Sequence, residues 1–236
     1  MKSPNKHIIF RILSLIIFVF LLTGLNMVLA QDTKVVRDLN LWTGAEVEKS
    51  VFDHWMVSFK QEVRLKKNAT EFSSTFSQLG VDYEISRNFS LAGKYRFILN
   101  SKSDKELNKQ SRYTVDLNYK GRLQHISIYY RIRYQKEVEN MRLLSIDEPC
   151  DRFIRNKISI RYTDLKRIKP YLSAEIFQLH EAGEFLNNDK FRVVSGIKIS
   201  PKSFGTFNVS YGVEHEINEI LPYTYFICKI NYKYEF

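Results

Sequence analysis

The chain has 236 residues, 44% hydrophobic and 14% aromatic, with a formal charge of +10 at pH 7. Beyond its first thirty residues no stretch carries eighteen successive apolar residues, which excludes a transmembrane helix there. The basic residues are spread along strand faces and interleaved with acids, so nucleic acid is not an expected partner. The two cysteines, Cys150 and Cys228, have no second Cys or His at metal-ligand spacing, which argues against zinc or thiol redox chemistry.

Residues 1–30 read as a secretory signal peptide. Lys2, Lys6 and Arg11 form a basic leader, Ile12 to Leu22 is nearly all apolar, and Val28-Leu29-Ala30 offers a cleavage site before Gln31. An uncleaved anchor is the alternative, since the run approaches spanning length. Cleavage leaves residues 31–236 as one domain and lowers the formal charge to +7 by removing three basic residues from the +10 total. No Cys follows the apolar run closely, so no lipid-anchored terminus is expected.

After Gln31 the sequence breaks into short runs of period two, separated by turn chemistry. Leu39 to Glu48 sets Leu41, Thr43, Ala45 and Val47 against Trp42, Gly44, Glu46 and Glu48. Trp55 to Leu65 is the clearest run. Trp55, Val57, Phe59, Val63 and Leu65 share one face, and Met56, Ser58, Lys60, Glu62 and Arg64 share the other. Phe72 to Ile85 changes phase between Phe76 and Leu79, which predicts a bulge near Gln78–Gly80. Phe89 to Leu99 follows a tight turn at Ser86–Asn88.

A polar loop, Asn100 to Ser111, leads into Arg112 to Lys120. Gly121 is read as a turn into Leu123 to Tyr134. The longest loop, Gln135 to Arg152, precedes Phe153 to Tyr162. The remaining runs are Pro170 to Gln178, Phe191 to Ile199, Phe204 to His215 and Tyr223 to Phe236. Helical spacing fits none of them better, because charges between apolar residues at i, i+2 and i+4 would give a helix apolar on every side.

Short connections (Ser50–His54, Ser86–Asn88, Gly121, Thr163–Lys169, Pro201–Ser203) alternate with longer ones, as in bacterial outer-membrane barrels with short periplasmic turns. The count is eleven, whereas a bacterial single-chain barrel is expected to have an even number. Either the first run is a plug or a poorly paired segment, or one strand has been missed or split. The expectation is a transmembrane, antiparallel, up-and-down, all-β barrel of about ten to twelve strands.

A soluble antiparallel sandwich also alternates. Here one face of every strand is almost uninterrupted aromatic and aliphatic residues, and the other is dense in charge. In a barrel the charged set fills a polar lumen, and closure removes edges that lipid cannot satisfy. The tail, with Ile230, Tyr232, Tyr234 and Phe236 at alternate positions, resembles the signal that outer-membrane barrels present to their assembly machinery.

Leu41-Trp42-Thr43-Gly44 leading into Glu46-Val47-Glu48-Lys49, a turn, and Trp55 to Arg64 resembles the opening of the family catalogued as domain of unknown function 2490. The likeness continues through Arg155 to Tyr162, Ser173-Ala174-Glu175-Ile176-Phe177 and the Tyr-x-Tyr-x-Phe end. That resemblance implies an outer-membrane barrel; it supplies no activity and no catalytic residues.

Lumen-face cations (Lys60, Arg64, Arg96, Arg131, Arg133, Arg155 and Arg161) are candidate binders of anions, because a low-dielectric wall focuses clustered charge. The plainer reading is a ladder of ion pairs with Glu62, Asp116, Glu175 and Glu214, which the filled interior of a small barrel favours. An enzyme needs a nucleophile beside a base, and His215 with Ser210 fails because five positions place them on opposite faces. Cross-strand pairing of His54, His125 or His180 is not visible in sequence. Asp147, Glu148 and Asp151 lack a calcium-loop pattern. The three Asn-x-Ser/Thr matches, at Asn68, Asn88 and Asn208, are read as coincidence. A lipid-facing Cys228 is poorly placed to meet a loop cysteine, so no disulfide is expected.

The expectation is therefore a monomeric outer-membrane barrel, non-enzymatic, with no cofactor and no metal, in a structural or loop-mediated binding role. Its partners would be outer-membrane lipid, lipopolysaccharide and, during biogenesis, the assembly machinery. A narrow channel for small polar or anionic solutes and a lipid-modifying enzyme are the alternatives.

Overall fold

The computed structural model describes residues 36–101, 107–139, 150–180, 186–201 and 204–236; the signal-peptide reading of 1–30 falls outside them. Among the described residues are eleven strands. These are β1 (Val36–Phe52), β2 (Trp55–Lys66), β3 (Glu71–Glu84), β4 (Phe89–Ser101), β5 (Leu107–Leu123), β6 (Ile126–Glu139), β7 (Cys150–Tyr162), β8 (Ile168–Leu179), β9 (Asn187–Ile199), β10 (Thr206–Glu216) and β11 (Tyr223–Glu235). Each pairs antiparallel with the next, and β1 closes the barrel against β11.

The odd strand number resolves at this seam. Strands that alternate in direction leave the first and the eleventh running the same way, so closure has to be parallel. β1 pairs with β11 from Val36↔Tyr223 to Glu48↔Glu235 and with β2 on its other side. It is neither a plug nor a poorly paired segment, and the antiparallel expectation is corrected at this one pair. The backbone N–H of Phe236 donates to the Glu48 carbonyl at 2.9 Å, extending the seam to the last residue.

Alternation sets the two faces. On β5, Asp116 is 1% exposed while its neighbour Val115 is 51% exposed, so the charged set points inward and the apolar set outward. Gly44 brings β1 close to β2: a Cβ there would meet the Gln61 carbonyl oxygen at 2.5 Å and the Glu62 Cβ at 3.1 Å.

Two local readings are corrected. The phase change in β3 is not at Gln78–Gly80, where pairing with β2 is regular. It lies where Arg64↔Ser74 steps to Leu65↔Phe72, leaving Ser73 as the extra residue. Phe72 therefore faces out, and Phe76 lies inside at 2% exposure. Gly121 is not a turn: it pairs with Ile128 inside the β5–β6 ladder, and the turn falls at Gln124 (φ 48°) and His125. Cross-strand pairing outweighs the turn preference of a glycine that sits at negative φ.

Two of the longer connections are also shorter than read. β4 continues to Ser101 and β5 begins at Leu107, while β6 and β7 extend to Glu139 and from Cys150. The turns after β1, β3, β5, β7 and β9 share one end of the barrel with the C-terminus. Strands β2, β4, β6, β8 and β10 finish at the other end, beside Val36.

Candidate functional site

Three buried carboxylates organise the lumen. Glu62 on β2, 1% exposed, meets Lys60 at 3.0 Å, Arg64 at 3.0 Å and Lys229 of β11 at 3.3 Å. Glu175 on β8 meets Arg131 of β6 at 2.6 Å, Arg155 of β7 at 2.9 Å and Arg192 of β9 at 3.8 Å. Asp116 on β5 accepts two hydrogen bonds from Arg133, at 2.5 and 2.6 Å, with Lys94 at 3.8 Å. Around them, Arg192 also pairs with Glu214, and Arg112 pairs with Glu137 at 2.7 Å.

Aromatic plates tie these hubs together. Arg64 lies 3.9 Å from the Trp42 ring centre, which also faces Arg192 at 5.2 Å and Lys229 at 5.5 Å. Phe76 carries Arg96 at 3.7 Å and Arg64 at 5.1 Å, and Phe177 carries Arg155 at 4.0 Å and Arg192 at 4.9 Å. Trp42 on β1 thus joins the Glu62 hub to Arg192 of β9, and hence to Glu175. Desolvated guanidinium–ring contacts of this kind contribute about 2 kcal/mol each.

The sequence-derived candidates fall into two groups. Lys60 and Arg64 belong to Glu62, Arg131 and Arg155 to Glu175, and Arg133 to Asp116. Arg96 stacks on Phe76 and donates to the Gln78 Oε1 at 2.9 and 2.6 Å. Arg161 stands apart near the short-turn end, donating to the Tyr129 hydroxyl at 3.0 Å. Ile230, Tyr232 and Tyr234 lie on the outward face of β11, and Phe236 packs edge-on against Tyr234 at 4.8 Å.

Trp42, Phe76 and Phe177 were not picked out as site residues from sequence. Parity carried the signal for two of them: Phe177 shares the phase of Ser173 and Glu175, and Trp42 that of Glu46 and Glu48. Apolar residues on the charged phase of a barrel strand are lumen residues.

Elsewhere, His215 Nδ1 pairs with Thr224 Oγ1 at 2.8 Å on the outward face, while Ser210 is buried on the inward one. His125 contacts Asp164 at 3.0 Å. Cys228 is a free, half-buried thiol. Among the described residues no three His, Cys, Asp or Glu side chains come together as a metal site. Asp147 and Glu148 lie outside those residues, and Asp151 is in β7.

Fold and lumen together define a closed, up-and-down β-barrel with an apolar exterior and an ion-paired interior. The family model described as "Protein of unknown function (DUF2490)" matches residues 39–218, and the chain belongs to that family. No curated protein and no solved structure matches the chain.

Proposed function

We propose that the protein is a monomeric, non-enzymatic, non-conducting β-barrel of the bacterial outer membrane, exported through a signal peptide cut after Ala30. It acts as a structural or loop-binding component beside lipid and lipopolysaccharide. The observation that carries this reading is the inside-out distribution of residues: the buried set includes Glu62, Asp116, Arg133, Arg155 and Glu175, and the exposed set includes Phe59, Leu79, Val115, Ile160, Leu172 and Ile230.

Three further features support membrane insertion. The shortest strand, β10, has 11 residues, and about 9–11 tilted residues cross a bilayer core. Outward aromatics pair near the short-turn end, as Trp55–Tyr83 at 4.7 Å, Phe89–Tyr119 at 5.1 Å and Phe207–Tyr232 at 5.0 Å. Phe72 lies nearer the other end, as does Phe191, whose ring packs on His215 at 5.5 Å, giving the two girdles of such barrels.

Outward polar groups also satisfy one another, as lipid requires. Gln61 donates to Thr75 at 2.9 Å, the Tyr130 hydroxyl donates to Asn156 at 2.9 Å, and Tyr95 and Ser111 share a bond of 3.1 Å. With short turns on the periplasmic side, the tail bearing Ile230, Tyr232, Tyr234 and Phe236 ends there, where the assembly machinery reads it.

Planar-bilayer recording tests the plug. The Glu62–Trp42–Arg192–Glu175 network predicts no stepwise conductance from the purified, folded protein. Stable, reproducible steps would replace this reading with the narrow channel.

A further inference from the structure

The lumen network leaves a basic vestibule at the short-turn end outside its pairing. A cavity of about 470 Å³ there is lined by Arg161, Lys169, Lys198, Ser200, Thr206 and Lys233. A second, of about 800 Å³, shares Arg161 and Lys198 and runs inward past Lys157 to Arg131. Lys233 is held by Glu48 at 2.5 Å. Lys157, Arg161 and Lys198 are part-buried and make no ion pair among the described residues. The carboxylates lining these spaces are Glu235 in both and Asp82 and Glu84 in the larger one.

We propose that this vestibule is a binding site for a phosphate-bearing group. Lys157 stands opposite Glu175 in the β7–β8 register but makes no ion pair with it, and cations outnumber the carboxylates around Arg161 and Lys198. Part-buried cations that no carboxylate contacts directly are costly to keep together, and a bound anion removes that cost. Arg161 is already positioned, its guanidinium 4.3 Å from the Tyr129 ring centre and hydrogen-bonded to that hydroxyl. Its Nε is buried without a hydrogen-bond partner, so the guanidinium fork is not saturated by the protein and a bidentate oxyanion would complete it.

Lys157 and Lys198 add point charges. The Ser200 and Thr206 hydroxyls bond to each other at 3.0 Å, which leaves one O–H as a neutral donor on the same wall. Several cations around one fork suit a dianionic tetrahedral group better than a single carboxylate. The site's chemistry rests on the lumen geometry alone; only its compartment depends on the membrane orientation proposed above.

Calorimetric titration of the folded full-length barrel in nonionic detergent, at constant ionic strength in chloride, tests the site with inorganic phosphate and with glycerol 3-phosphate. Saturable binding is expected, weakened about tenfold or more by Arg161→Gln and by Lys198→Gln. Lys49→Gln, which removes a charge from the exposed outer face, leaves it unchanged. Retained mobility on unboiled gels certifies each variant as folded. Arg161→Lys, which keeps charge but loses the fork, should fall between wild type and Arg161→Gln.

Repeating the titration in phosphatidylcholine vesicles with and without phosphatidylglycerol separates the sources. Weaker phosphate binding with phosphatidylglycerol assigns the occupant as a lipid headgroup, and unchanged binding assigns a soluble phosphate ester. Absence of saturable binding, or equal weakening by Lys49→Gln, overturns the proposal.

Discussion

Glu175→Gln should destabilise the folded barrel by about 3–5 kcal/mol, because removing one partner of a buried ion pair strands the other charges. The substitution preserves shape, so no cavity term confounds the result. Arg131 and Arg155 make their ion pairs with Glu175, while Arg192 keeps Glu214 and Arg155 keeps its hydrogen bond to Gln135 at 2.8 Å. The denaturant midpoint at which the unboiled form disappears from gels measures the loss. Glu71→Gln is the control: its partner Lys67 sits at 2.9 Å, with both side chains about half exposed or more, and such pairs contribute about 0–1 kcal/mol. If both variants lose equally little, water reaches Glu175 and the lumen is not plugged at that level.

Val115→Arg tests the exterior in the same way. Val115 faces outward midway along β5, paired with Tyr134 and Gly93. An arginine at the bilayer midplane of a barrel costs about 2–4 kcal/mol, and near the interface about 0–1 kcal/mol. Leu123→Arg, at the short-turn end of the same outward face, should therefore be tolerated. On an exterior bathed in water both changes would stay within about 0.5 kcal/mol. The depth dependence, measured by unfolding in vesicles, separates a lipid-facing belt from a solvated one.

The order of the strands and their two faces were legible in sequence because a period of two needs only neighbouring residues, as in Trp55 to Leu65. Closure was less legible. Which strand meets β1 is a property of the whole ring, and only the odd count pointed to the parallel seam with β11. The bulge was misplaced because Phe76 is apolar and was assigned to the outward set. The register across Arg64 and Leu65 shows that it is an inward plate for Arg96 and Arg64.

Gly121 misled because a turn-forming residue was weighed without its cross-strand partner. The cations of the lumen were legible by parity, but their partners were not. That Arg133 belongs to Asp116, and that Arg161 pairs with no carboxylate among the described residues, depends on which side chains meet across the barrel.

The most direct measurement is fractionation of expressing cells followed by gel electrophoresis with and without boiling. The outer-membrane location proposed for this closed barrel predicts recovery in the outer-membrane fraction and a band whose mobility shifts on heating. Recovery as a soluble periplasmic protein with no shift would contradict it.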